Sequence, residues 1–452
     1  MVQQVVVIGG GAAGMSAASA ARRADPACDV TVLEATGHAA YGVCGIPYYL
    51  AGLVDRADDL VAYPASYFRE RRRIDLRLHT RALALDPERR VVHCRDLERG
   101  VRLRYDRLVV AAGGAAVLPP LPGLHDDRVV TVRTLEDAIA LRSLLDAGRI
   151  ARALVVGAGY VGLEMAEALH ARRVAVTVVE AMPAVMPTLD ESIATLVAEE
   201  VRRHGVDLRL GARFNGVTRD EDQLLALVDG EALPVDVVVL AIGVRPSAGV
   251  AAACGARTGP GGALLVDEEM RTSLEHVYAA GDCIALQHLV LGRPAFVPLG
   301  PAGNKTGRVA GTVAAGGRAR FRGVVGTAVV KVFDLGVART GLTLAQAQDE
   351  FGPDVIATDI VGRSRAKYYP GAESVTVRLV HERGGRLLGA QMVSTADVAK
   401  RIDVVAAALQ AGFDLDDVLA LDLSYAPPYA PVYEPLLLAA QAAATRSSRV
   451  AV

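Results

Sequence analysis

Gln4-Val5-Val6-Val7-Ile8-Gly9-Gly10-Gly11-Ala12-Ala13-Gly14 opens the chain with an unbroken apolar run that stops at a glycine turn. The run reads as a buried strand, and the Ala-rich stretch after it, to about Arg23, as a helix. A second apolar run, Asp29 to Leu33, closes with Glu34, 25 residues after Gly9. Gly9, Gly11 and Gly14 hold the glycine places of G-x-G-x-x-G between strand and helix. In such a turn the backbone N–H groups around Ala12 and Ala13 can approach a pyrophosphate at the helix start, and Glu34 can accept ribose hydroxyls.

The same grammar recurs further on. Ala153 to Val156 runs into Gly157-Ala158-Gly159-Tyr160-Val161-Gly162, then a helix to about Arg173, then a strand from Val174 to Val179 closing with Glu180, 23 residues after Gly157. Two complete strand–turn–helix–strand units, each with its acid, imply two dinucleotides. Glu180 accepts ribose hydroxyls and repels a 2'-phosphate, which favours NADH; Arg172 and Arg173 on the preceding turn keep NADPH open. RLVVAAGG from Arg107 to Gly114 and VDVVVLAIG from Val235 to Gly243 repeat a strand that ends in glycine, and TSLEHVYAAGD places another strand before Gly281-Asp282.

Composition agrees with a buried α/β protein: 452 residues, 52% hydrophobic, 22% charged and 45 glycines. The 49 basic and 51 acidic residues balance to a net charge of -2, which gives no reason to expect a nucleic-acid partner. Every apolar run is broken by Gly, Arg, Asp or Glu short of the roughly 18 residues of a spanning helix. No membrane association and no secretory signal are expected, and the chain is read as cytoplasmic. The five cysteines are scattered without C-x-x-C spacing, so neither a disulfide framework nor a metal site is expected.

These pieces resemble the flavoprotein disulfide reductase superfamily over essentially the whole chain. The resemblance implies an α/β fold of two Rossmann-like domains, the NAD domain inserted in the FAD domain, followed by an α+β interface domain. The divisions are 1–115 with 246–325 for FAD, 116–245 for NAD(P)H and 326–452 for dimerisation. It implies that the first glycine turn binds the ADP half of FAD and that Asp282 holds the ribityl chain. By the same resemblance Arg133 contacts FAD, Gly243 lines the cofactor, and the helix carrying Lys305 aims at the flavin. Tyr160 covers the nicotinamide site, and a homodimer shares its sites between protomers.

Tyr41-Gly42-Val43-Cys44-Gly45-Ile46-Pro47-Tyr48 carries the chemistry. Cys44 stands before a predicted helix with Pro47 in its first turn, a setting that favours a thiolate. Cys28, Cys94 and Cys254 lack it, and Cys283 follows Asp282 closely enough to lie near the flavin. Dithiol members of the superfamily have a second cysteine where this chain has Tyr49, and a His-Pro motif where it has Ser424 to Tyr429. The one-cysteine branch includes coenzyme A disulfide reductases, NADH peroxidases and oxidases, and persulfide or polysulfide reductases. Its peroxidases and oxidases carry a His in the first turn, where this chain has Ala12.

The remaining resemblance is to coenzyme A disulfide reductases, supported by Lys367-Tyr368-Tyr369-Pro370-Gly371 and Tyr425-Ala426-Pro427-Pro428. It implies a flavin-dependent NAD(P)H reductase of coenzyme A disulfide or a related thiol compound, with Cys44 resting as a mixed disulfide. Tyr368, or its neighbour Tyr369, and Tyr425 would reach the partner's site. Arg22 and Arg23 match a position that contacts coenzyme A phosphates, and Arg69 and Arg71-Arg72-Arg73 are further candidates. Ala40 and Val43 depart from the branch's usual polar residues. A persulfide or polysulfide reductase, an NADH oxidase and a non-catalytic redox sensor stand as alternatives.

Overall fold

A computed structural model describes residues 2–448, so the last four positions of the 326–452 segment lie outside the described residues. The first glycine turn leaves the central strand Gln4–Ile8 of a five-stranded parallel sheet, in the order Val277–Ala279, Arg107–Val110, Gln4–Ile8, Asp29–Leu33, Ile74–Arg77. Strands on either side of Gln4–Ile8 are reached by opposite crossovers, which opens a crevice at the strand's carboxyl end. The second unit repeats the plan: Asp207–Leu210, Ala175–Glu180, Arg152–Val156, Val237–Leu240 and Val129–Val130 are parallel in that order. The chain passes between the two units along the antiparallel pair Gly114–Ala116 and Val244–Pro246.

Both core strands are Val-rich and buried on both faces, as parallel strands covered by helices must be. The helix Ala12–Ala24 lies against the helix Gly300–Ala314 at backbone contact: a Cβ on Gly307 would stand 2.1 Å from Ala13 O, and one on Gly311 1.9 Å from Ala17 O. Only glycine fits at these two crossings. The contact fixes the start of one helix relative to the other.

From Ala328 the chain forms a five-stranded antiparallel sheet, Ala328–Val332, Leu335–Gly341, Leu387–Ser394, Ser374–Glu382, Val355–Arg363. Four helices accompany this sheet among the described residues, Leu344–Phe351, Ala399–Ala411, Leu415–Leu419 and Pro435–Ser448. Sequence reading missed a three-stranded antiparallel sheet in each nucleotide unit, spanning Thr80–Arg104 and Phe214–Val235. Strands such as Arg99–Arg104 are charged and exposed, so they carry little apolar alternation to read. The helix after the second glycine turn ends at Ala171, before the expected Arg173, because Arg173 takes a left-handed φ of 62° to enter the next strand.

The antiparallel sheet packs on the second nucleotide unit through polar groups. Asp190, the N-cap residue of the helix Glu191–Arg203, receives Arg378 Nε at 2.7 Å and Gln391 Nε2 at 3.0 Å, while its own N–H donates to Gln391 Oε1 at 2.8 Å. Glu167 accepts Lys331 Nζ and, at 2.8 Å, the Phe333 N–H. Among the described residues no helix is long and apolar enough to cross a membrane.

Candidate active site

Each glycine turn is built by close approach. Gly9, at φ 106°, would place a Cβ 2.2 Å from Ala111 O, and a Cβ on Gly14 would strike Gly9 O at 1.8 Å. Gly157, at φ 101°, and Gly162 meet Ala241 O and Gly157 O in the same way, at 2.6 and 1.9 Å. Gly11 and Gly159, the two N-cap residues, instead face open space, and neither helix has a side-chain cap or an acid in its first turn. Their first N–H groups are thus left for an anion.

The two acids occupy equivalent places. Glu34 accepts the Gly10 N–H at 2.7 Å and Thr36 N–H and hydroxyl at 2.8 Å each; Glu180 accepts Ala158 N–H at 2.8 Å and Met182 N–H at 2.9 Å. Both carboxylates are pinned beside their turns with lone pairs to spare. These cradles fit the pyrophosphate and ribose of FAD and of a nicotinamide dinucleotide.

Between the turns, Arg133 Nη2 donates to Gly114 O at 2.7 Å. Asp282 sits within reach of Arg133: burial pushes its carboxyl above the usual value and the guanidinium opposes the rise. Gly243, at φ 113°, faces open space at the start of the return strand. Lys305 is exposed in the second turn of the helix Gly300–Ala314.

Cys44 lies in a single 3-10 turn, Val43–Gly45, followed by the short helix Ile46–Ala51 with Pro47 at its start. It is exposed, whereas Cys28, Cys94 and Cys283 are buried and Cys254 is half-buried. The thiolate-favouring environment expected from the helix start is not what this polypeptide provides. Desolvation and the carboxylates of Glu164 and Asp282 push the Cys44 thiol up, with Arg133 acting against them. Cys283 is turned into the core, its Sγ against Ala280 O and Val110 O at 3.2 and 3.3 Å, and burial raises it to about 11. Tyr49 is buried beneath the Arg142 guanidinium, 5.0 Å above its ring.

Glu164 escaped the sequence reading. It stands on the helix Tyr160–Ala171, which packs against the Cys44 helix, and burial with the neighbouring Glu167 raises its carboxyl to about 7. Its helical position was legible; its nearness to Cys44 and Tyr48 is tertiary. Glu136 escaped as well: it binds Gly37 N–H at 2.9 Å and His38 Nδ1 at 2.8 Å, tying the loop before Cys44 to the helix Leu135–Asp146. Tyr160 begins its helix and accepts Thr188 Oγ1 at 3.3 Å.

The arginine candidates separate. Arg22 donates to the carbonyls of Pro26 at 3.0 Å and Arg73 at 2.6 Å, and to that of Cys28, while among the described residues its buried Nε has no partner. Arg23 is exposed and, among the described residues, makes no side-chain bond. Arg69 binds Leu76 O, Arg72 the Tyr67 hydroxyl and Arg73 Pro26 O, leaving Arg71 outward. Tyr368 and Tyr425 are exposed on the C-terminal unit, as are Tyr429, Val432 and Tyr433, and the nearness of Tyr368 raises the Tyr425 phenol. Glu200, His204 and Asp334 bring three ligand-type atoms within 4.8 Å, but Arg203 takes both Glu200 oxygens.

Residues 3–309 match the pyridine nucleotide-disulphide oxidoreductase family, and residues 327–436 match its dimerisation domain. The chain is 39% identical over 445 residues to the NAD(P)H coenzyme A polysulfide/persulfide reductase of Pyrococcus horikoshii, covering 98% of each chain. It is 27% identical to the coenzyme A disulfide reductase of Staphylococcus haemolyticus, covering 91% of this chain and 92% of that one. The solved NAD-dependent persulfide reductase from A. fulgidus superposes with a TM-score of 0.95 at 39% identity, over 99% of this chain and 84% of that one.

Proposed function

This chain belongs to the pyridine nucleotide-disulphide oxidoreductase family, and on that premise we propose that it reduces sulfur–sulfur bonds of coenzyme A derivatives through Cys44. It is a flavin-dependent NAD(P)H oxidoreductase. One observation carries the sulfur assignment: of the five cysteines only Cys44 is exposed, and Arg133 and Asp282, beside the first glycine turn, act on its thiol.

FAD, when bound, accepts hydride from NAD(P)H and relays two electrons to sulfur. The chain's part is to hold and to exchange. The N–H groups opened by Gly11 and Gly159 bind the pyrophosphates of FAD and NADH, and Glu34 and Glu180 accept their ribose hydroxyls. Both Glu180 oxygens face N–H donors and no cation, which favours NADH. Tyr160 covers the nicotinamide place until the dinucleotide arrives. The Cys44 thiolate attacks one sulfur of the substrate, forms a mixed disulfide and releases the first thiol, which takes a proton. Two electrons and a proton then release the second thiol and restore the thiolate.

The protein acts as a homodimer, with Tyr368 and Tyr425 of one protomer reaching Cys44 of the other. The exposure of both tyrosines and of the Cys44 surface, together with the matched dimerisation domain, supports this. Arg23 and Arg71 are the outward cations available to coenzyme A phosphates. A persulfide substrate is the second reading, favoured by the greater likeness to the persulfide reductases than to the disulfide reductase.

Intact mass spectrometry of the unreduced protein, with peptide mapping of Cys44, tests the proposal. A coenzyme A adduct lost on treatment with NADH supports it. A Cys44→Ser variant that turns over coenzyme A disulfide and coenzyme A persulfide as fast as the native protein refutes it.

A further inference from the structure

Two segments without regular structure, 364–373 and 421–434, carry Tyr368 and Tyr425. The two residues are 76% and 48% exposed, so packing of their own rings does not fix where they stand. Their place is set at the bases of the loops. Arg401, in the first turn of the helix Ala399–Ala411, has its side chain only 15% exposed there. Its three nitrogens reach three segments: Nε donates to Glu434 Oε1 at 2.8 Å, Nη2 to Ser364 O at 2.6 Å and Nη1 to Asp397 O at 2.7 Å.

Glu434 ends the second loop, and its other oxygen accepts the Leu436 N–H at the start of the helix Pro435–Ser448. Ser364 begins the first loop, whose ends close on each other: Ser364 N–H donates to Glu373 O at 2.8 Å, and Glu373 N–H to Ser364 Oγ at 3.0 Å. The loops also meet directly, Ala366 N–H donating to Pro427 O at 3.3 Å. One guanidinium thus ties the start of one tyrosine loop to the end of the other. A cation in the first turn of a helix stands at the wrong end of the dipole, and a carboxylate shut away from water is costly alone. Each is tolerated because it faces the other. Burying such a pair costs desolvation, so what it supplies is geometry more than net stability.

We propose that Arg401 is a positioning residue for the sulfur step: through Glu434 and Ser364 it holds both loops of one protomer in the arrangement in which Tyr368 and Tyr425 meet the partner's Cys44. The inference rests on the homodimer reading above, in which those tyrosines serve the other protomer's thiol. A planar fork can serve three diverging acceptors, whereas a lysine on the same backbone offers a point charge.

The test compares Arg401→Lys in two backgrounds, the native chain and Tyr368→Phe/Tyr425→Phe, with coenzyme A disulfide and coenzyme A persulfide as substrates. In the native background Arg401→Lys keeps a cation for Glu434 and loses the span to Ser364 O. It should slow turnover by about ten- to a hundredfold while stopped-flow reduction of the flavin by NADH is unchanged. In the background without the two hydroxyls it should slow turnover no further, because the loops then position no proton donor. A merely structural loosening would cost the same in both backgrounds, and that result overturns the inference, as does an undiminished rate in Arg401→Lys. If Arg401→Lys folds poorly, Glu434→Asp, which keeps the charge and draws the carboxylate back by one methylene, takes its place with the same expectations. A Tyr368→Phe/Tyr425→Phe protein that turns over both substrates at the native rate overturns the tyrosine reading itself.

Discussion

Replacing Gly307 by Ala puts two effects of opposite sign at one position of the helix Gly300–Ala314. In an isolated helix the change is favourable by about 1 kcal/mol, since Ala loses less backbone freedom. Here the new Cβ would lie 2.1 Å from Ala13 O and 2.9 Å from Ala13 Cα, both backbone atoms that no rotamer change can clear. Ordinary contact begins near 3.4 Å, so the two helices must part by more than an ångström at the crossing. Opening a packed contact by that much forfeits a large part of its dispersion energy, and overpacking of this kind costs about 3 kcal/mol. The net loss is about 2 kcal/mol, a fall in Tm of about 4–8 °C for a cooperative unit of 150–250 residues. Ala13 is in the first turn of the helix proposed to hold the cofactor's pyrophosphate, so flavin is expected to dissociate more readily. Differential scanning fluorimetry and the flavin fluorescence released on dilution measure the two effects. A Gly307→Ala protein with unchanged or raised Tm and full flavin retention would refute backbone contact between these helices.

Three other perturbations follow from the site and its seams. Glu164 titrates at about 7 in the fold against an ordinary 4.5, so folding favours its protonated form. The stability it contributes is whole below the lower value and lost as pH rises through the upper one. That amounts to at most about 3 kcal/mol, roughly halved for a carboxyl partly open to solvent. Glu164→Gln should therefore flatten the decline of Tm between pH 5 and pH 8, and it should lower the midpoint of Cys44 alkylation by iodoacetamide, because a carboxylate that raises the thiol is removed. An unmoved midpoint counts against their contact. Asp190→Asn leaves Arg378 buried with only Asp359 and should cost about 3 kcal/mol of stability by thermal unfolding; a loss under 1 kcal/mol would mean the seam is held by its apolar contacts. Tyr425→Phe should slow disulfide turnover by about 10²-fold while stopped-flow reduction of the flavin by NADH stays unchanged. A parallel loss in both steps would place Tyr425 outside proton transfer to sulfur.

What the sequence settled lies within short stretches. A glycine that must turn a strand into a helix, and an acid that must meet it from the next strand, are separated by a single crossover. Gly9 with Glu34 and Gly157 with Glu180 were therefore readable, and so was the setting of Cys44 between Gly42 and Gly45. The features that needed the tertiary structure join residues far apart in the chain. Arg22 and Arg23 are indistinguishable as letters, yet the loops at Cys28 and Arg73 capture one guanidinium and leave the other outward. The charge around Cys44 comes from Glu164, Asp282 and Arg133 on three separate elements, so a local argument from helix polarity gave its thiol the wrong direction. The polar row of Arg339, Gln391, Arg378 and Asp359 exists only because four strands pair in one register, and a shift of one residue would turn it to the other face. Periodicity fixes which face a residue takes within its own element; which charges then meet across elements is decided by packing and register, on which single-chain periodicity is silent.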